Sequence, residues 1–461
     1  MIRKTSWIVL GAVAALLLAA QQSDVIIKLE KGERAAIAVP DLRGSGEAQQ
    51  YMGAFNETLW NDLQSAGIFK MVPKSLYWTQ VPRVPQDFRP QPAMPQRTSA
   101  ASNVRPNAQG LWLSDWSGPP VSANYLAFGY TGAEAGQIVL RGWLYNVGQS
   151  DFSNAQVFGK TYLAPLGEEG ARKIAHDFAT DILQQFGAVS LTGTRIYFTS
   201  QRSRGVKEIW SMDPDGSNPK QLTFYKSLSI MPAVSPDGTR LAFTSFARGN
   251  PDIFVLSLET GRRLPFYNEV SSVTETPEFT PDGKQVLFAS AVSGWTQIYI
   301  ANVDGSGMRR MTYSNSIDVE PKVNPKTGTD IAFVSGRSGP PQIYRMSMLG
   351  TDVARLTTGE GDAVNPAWHP DGQHLAFSWT RGYAPGNYNI FVMDVATRQY
   401  VQLTHGAGRN EHPSWAPDGR HMVFSSNRSG SLQIWTMLAD GTQLQQLTTQ
   451  GANTQPVWGK H

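Results

Sequence analysis

Between Arg195 and Lys460 one pattern of about 45 residues recurs six times. One column of the repeat is Phe198, Phe243, Phe288, Phe333, Phe377 and Phe424. A second is Ile209, Ile253, Ile298, Ile343, Ile390 and Ile434, and each isoleucine precedes an aromatic: Trp210, Phe254, Tyr299, Tyr344, Phe391, Trp435. Strands this short, recurring at this period, cannot bury their apolar faces singly. They do so by stacking as four-stranded blades around an axis, a β-propeller. Rings of this kind mostly bind other molecules.

The punctuation between strands fits. The turn joining first and second strands reads Ser235-Pro236-Asp237-Gly238, Thr280-Pro281-Asp282-Gly283, His369-Pro370-Asp371-Gly372 and Ala416-Pro417-Asp418-Gly419. Proline pre-sets φ, aspartate bonds the backbone and glycine accepts positive φ, so these are turns. Asn324 to Gly328 is a copy one residue longer. Each opening strand is expected to follow a proline: Pro232, Pro277, Pro321, Pro366, Pro413, Pro456. Blades end near Leu-Thr pairs such as Leu356-Thr357.

The ends of the repeat are complementary. The strand near Arg195 lacks a first strand before it, and the strand at 455–458 lacks a second strand after it. The C-terminal strand therefore completes the blade begun at Arg195, and closure removes two exposed sheet edges.

The remainder is a different kind of chain. Arg3 and Lys4 precede an apolar run from Trp7 to Ala20, followed by polar residues from Gln21: a signal peptide over 1–20, too short to span a bilayer comfortably. Residues 21–34 follow as a free segment with alternating Val25, Ile27 and Leu29. Residues 35–187 read as an α/β domain, a mixed sheet with two helices over 47–66 and 172–186. Prolines 82, 85, 90, 92, 95 and 106 mark a loop or mobile insert near 73–122. The propeller occupies 192–461.

Composition excludes several functions. There is no cysteine, hence no disulfide framework, thiolate metal site or thiol nucleophile. Of 40 basic residues two lie in the signal, against 37 acidic ones, so the mature chain is nearly neutral and carries no nucleic-acid footprint. Asp213-Pro214-Asp215-Gly216-Ser217 has neither the glycine nor the glutamate of a calcium loop and is a hairpin turn. No cofactor is implied, although a cation in the ring's channel is compatible with the sequence. A hydrolase with a substrate-filtering propeller is one alternative. It needs a G-x-S-x-G elbow, and Gly336-Arg337-Ser338-Gly339-Pro340 comes nearest without matching. A glycan-binding propeller is another.

The PDG-type repeats, the exported α/β domain before the ring, the junction Ile182-Leu183-Gln184-Gln185-Phe186-Gly187 and Glu208-Ile209-Trp210-Ser211-Met212-Asp213 together resemble the TolB family of the Tol-Pal system. That resemblance implies a periplasmic, non-enzymatic, monomeric scaffold with no membrane insertion after signal cleavage. It implies binding of the peptidoglycan-associated lipoprotein Pal at the propeller mouth, and of the TolA C-terminal domain through the N-terminal segment. It implies support of outer-membrane integrity and of invagination during cell division. The insert at 73–122 is longer than the family pattern.

Candidate Pal-binding residues precede the repeat prolines, in loops expected to form the mouth: Met231, Glu275, Thr276, Val319, Glu320, Asn365, Glu411, His412 and Gln455, beside Ile230, Val364 and Thr454. Loops between second and third strands add Arg202, Arg248, Arg337, Arg381 and Arg428. Acids and arginines on a rigid scaffold suit a polar protein interface. For TolA the candidates are Asp24, Val25, Ile26, Ile27 and Leu29, whose alternation suits strand addition to a partner's sheet edge.

Overall fold

The computed structural model describes residues 34–89, 111–149, 152–268 and 273–460. The chain divides into a unit Lys31–Thr192 and a unit Gly193–His461.

The first unit is a mixed sheet. Strands β1 (Ala35–Ala38), β2 (Phe69–Met71), β3 (Tyr125–Glu134), β4 (Gln137–Asn146) and β5 (Gln156–Pro165) lie in the order β2-β1-β3-β4-β5. Arg43–Gly44 adds a short sixth strand beside β3. β1 is parallel to β2 and β3, whereas β3, β4 and β5 are antiparallel. Helices α1 (Met52–Ser65) and α2 (Glu168–Gln185) cover one face. α1 buries Phe55, Leu59 and Leu63; α2 buries Ala171, Ile174, Phe178 and Ile182. Each set is one stripe at helical spacing. α2 starts a turn earlier than its apolar stripe suggests, because Glu168 and Glu169 suit the positive end of the helix. The predicted 47–66 helix opens as a 3₁₀ stretch, Gly46–Tyr51.

The proline-rich segment is corrected in part. Its described flanks are ordered and make the sheet's second core. Phe88, Leu113, Trp116 and Val121 pack with Ala36, Ala38, Phe128 and Tyr145, while Ile37 points to the helices. Two-residue periodicity thus gives β1 two buried faces, and the segment supplies the cover that helices provide on the other side. Residues 90–110 lie outside the described ones.

The second unit is a closed ring of six four-stranded antiparallel blades. Five run consecutively from first strands Ser229–Val234, Thr274–Phe279, Asp318–Val323, Ala363–Trp368 and Asn410–Trp415, hereafter blades 1 to 5. In the sixth, Ala452–Lys460 pairs with Thr194–Ser203, followed by Val206–Met212 and Lys220–Gln221. The C-terminal strand closes the ring, as its incomplete ends require. Trp458 Nε1 donates to Thr194 Oγ1 at 2.9 Å.

The repeated aromatics are cross-strand partners. Phe198 faces Trp210, Phe243 faces Phe254, Phe288 faces Tyr299, Phe333 faces Tyr344, Phe377 faces Phe391 and Phe424 faces Trp435. The six phenylalanines are fully buried. Neighbouring blades share these cores: Ala332, Val334 and Ile343 of blade 3 pack with Leu375, Phe377 and Phe391 of blade 4.

The Leu-Thr pairs have a physical reason. In five blades the threonine hydroxyl accepts the N–H of the repeat isoleucine: Thr223 from Ile209, Thr312 from Ile298, Thr357 from Ile343, Thr404 from Ile390 and Thr448 from Ile434, at 2.8–3.0 Å. In blade 1 the Asn268 amide oxygen does the same for Ile253 at 3.0 Å.

Candidate functional site: the channel wall and the mouth

The first strand of every blade lines the axis and carries a bulge. Its register shifts between Ile230 and Ala233, and at the equivalent place in all six blades. The bulge residue takes φ of 53–56° at Met231, Thr276, Glu320, Asn365, His412 and Gln455. None is glycine. Left-handed backbone costs an L-residue roughly 1–2 kcal/mol, and such strain persists where surrounding structure over-determines it, often at ligand clamps.

The next residue is always proline, so the repeat prolines lie inside the first strands, not before them. This corrects the expected loop placement. A central strand would lose ladder bonds to proline, but the innermost strand is an edge whose outer side faces the channel.

Each pair of residues before a proline therefore splits. Ile230, Glu275, Val319, Val364, Glu411 and Thr454 pair with the second strand. Their neighbours Met231, Thr276, Glu320, Asn365, His412 and Gln455 line a cavity of ≈ 300 Å³ in the channel. The cavity extends from this ring towards the first-to-second-strand turns, where Trp368, Trp415, Trp458 and Pro370 join it. Glu275, Val319 and Glu411 are not among its lining residues.

The bulge side chains bridge blades. Met231 N–H donates to Gln455 Oε1 (3.0 Å), Glu320 N–H to Thr276 Oγ1 (3.3 Å), Asn365 N–H to Glu320 Oε2 (2.6 Å) and His412 N–H to Asn365 Oδ1 (3.3 Å). Met231 has no acceptor to offer, and Thr276 N–H turns to Thr244 Oγ1 at 3.1 Å. Sequence reading missed this relay because the column shares no residue type. Only the constant proline marks it.

The wall is electrostatically tuned. Burial raises the Glu275 carboxyl. Burial also raises Glu320, against the Asn365 hydrogen bonds and the Lys322 charge. Burial, with Arg409 and Lys322, pushes the His412 imidazole down to about 3. Lys322 pairs with Glu278 at 2.6 Å, and Arg409 with Glu411 at 2.9 Å.

The five candidate arginines stack on rings of their own blades. Each guanidinium lies 4.3–5.5 Å from an aromatic ring of its own blade: Arg202 over Trp210, Arg248 over Phe254, Arg337 over Tyr344, Arg381 over Trp379, Arg428 over Trp435. Arg202 also reaches Gln450, Arg337 Asp318, Arg381 the Thr358 carbonyl and Arg428 Asn410. In these four the cation–π contact and the hydrogen bond act together, while Arg248 approaches Asp252 at 3.9 Å.

One further cluster has metal-like composition, His369, Asp371 and His374. Its donors are already engaged. His369 Nδ1 accepts the Asp371 N–H at 3.1 Å, so Nε2 carries the proton that Gly419 O accepts at 2.8 Å. Asp371 Oδ2 bonds His374 Nδ1 at 2.7 Å. It is a turn built from histidines. Asp24 to Leu29, the TolA candidates, lie outside the described residues.

A family model described as the TolB beta propeller domain (PD40) matches residues 186–365 and 357–461, more than half the chain. The chain belongs to the TolB β-propeller family. It is similar to the TolB homolog of Chlorobaculum tepidum, 32% identical over 243 residues, covering 52% of this chain and 48% of that protein. It is similar to the Tol-Pal system protein TolB of Desulfosudis oleivorans, 34% identical over 176 residues, covering 37% and 38%. Matches thus span less than half the length of these curated relatives. The solved TolB of Acinetobacter baumannii has the same fold, with TM-score 0.72 at 23% identity, over 93% of this chain and 97% of that one. Among the described residues no helix is long and apolar enough to cross a membrane.

Proposed function

We propose that this chain is a periplasmic, non-enzymatic scaffold of the Tol-Pal system. It binds Pal at the propeller mouth and TolA through residues 21–34, and so supports outer-membrane integrity and invagination during division. The observation that carries the reading is the family match over a ring whose axis is lined by six strained, chemically different side chains. A rigid wall that varies only in side chain suits recognition of one partner surface. Catalysis would call for convergent nucleophile and base, and the reading rests instead on a wall of varied side chains.

The test is calorimetric titration of the mature chain with the soluble Pal domain. Glu320→Gln combined with His412→Gln, both at the cavity wall, is expected to weaken binding about tenfold. A wild-type chain that gives no binding heat overturns the Pal assignment. For TolA, a chain lacking residues 21–31 is expected to lose capture of the TolA C-terminal domain; undiminished capture removes that segment from the interface.

A further inference from the structure

The mouth is six-fold in backbone but not in chemistry. Where five blades set an arginine of the second-to-third-strand loop over an aromatic ring, the corresponding loop of blade 2 carries Val292 and no arginine. The same loop exposes Trp295 by 54%, and the loop leading to blade 3 exposes Tyr313 by 75% and Ile317 by 52%. These apolar side chains sit on rigid backbone. Asp318 N–H donates to Thr296 O at 2.9 Å, tying the two loops together. The fully buried Gln297 amide donates to Ser314 O and Ser316 O and accepts the Ser314 N–H, at 2.8–3.1 Å. Ile317 O accepts the Gly336 N–H at 3.1 Å.

Positive charge flanks this sector. Arg310 lies 4.6 Å from the Tyr313 ring, whereas the charge of Arg337 is met by Asp318, which also accepts from Ser314 Oγ and so braces the loop. Ile317 is three residues before Glu320, so the sector is continuous along the chain with the channel wall. Exposed aromatic and aliphatic side chains grouped on a rigid support and edged by charge mark an interaction site.

We propose that the partner at the mouth docks off the ring's axis, seating an apolar side chain flanked by carboxylates on Val292, Trp295, Tyr313 and Ile317. The occupant is a loop of the same folded partner assigned above, and the inference rests on that reading. The five arginine-bearing blades then contribute complementarity, and blade 2 contributes the anchor.

The experiment titrates the soluble Pal domain into three full-length mature chains: wild type, Trp295→Ser with Ile317→Ser, and Leu349→Ser with Val353→Ser. The last pair removes exposed apolar groups from a third-to-fourth-strand turn, at the other end of the blade. The first double variant is expected to bind at least about tenfold more weakly, and the second like wild type. If wild type binds and Trp295→Ser with Ile317→Ser binds equally well, off-axis docking is overturned while the proposed function stands. If wild type does not bind, both are overturned. Equal weakening by the two double variants also overturns the off-axis anchor.

Discussion

Two columns of the same repeat behave in opposite ways. The blade interior repeats its chemistry, phenylalanine against a cross-strand aromatic six times, all buried. The channel wall repeats its backbone, one bulge and one φ, while its side chains are methionine, threonine, glutamate, asparagine, histidine and glutamine. Packing demands the same volume at every blade interface. The wall has no such demand, because its side chains face a cavity and a neighbour's single N–H. Constancy therefore marks what builds the ring, and variation on a constant backbone marks where recognition is written.

The largest break in this comparison is the loss of closure. Deleting residues 453–461 strips the sixth blade of its inner strand and is expected to lower the melting temperature by at least about 10 °C. An unchanged thermal melt would contradict closure. Next is the constant column itself. Phe288→Ala is expected to cost about 3–5 kcal/mol by denaturant titration, and a loss below about 1 kcal/mol contradicts its burial.

The variable column should answer to pH. In the fold His412 stays neutral down to about 3, whereas in the unfolded chain it charges below 6.5. Between those values the unfolded state binds more protons, so stability falls as pH falls. His412→Gln is expected to lose less stability than wild type on going from pH 7 to pH 4, read from urea midpoints. Equal losses would mean that His412 charges without cost. The smallest effect belongs to Met231→Gly. Glycine relieves the left-handed strain but loses side-chain contacts, so the change should stay within about 1 kcal/mol. A larger loss would make Met231 part of the core.

Legibility followed the same division. The phenylalanine and isoleucine columns revealed the blades because burial selects residue type. The closing strand was legible from the unmatched ends. The wall was half legible: its prolines stood out, yet Glu320 and His412 read as loop residues, since proline is seldom found inside a strand. The arginines read as interface candidates, because a sequence does not show which ring lies beneath a guanidinium. In the described flanks of 73–122 prolines masked an ordered layer, whose apolar residues Phe88, Leu113, Trp116 and Val121 show no regular period.

The sixth blade joins Thr194 to Trp458, 264 positions apart. A chain made from its N-terminus presents three strands of that blade long before the fourth arrives. Until then the edge of Thr194–Ser203 is bare and open to capture by other strands. Contacts this distant in sequence also form slowly. The ring is thus complete only once the last strand has paired, and a copy without it keeps an unpaired strand edge.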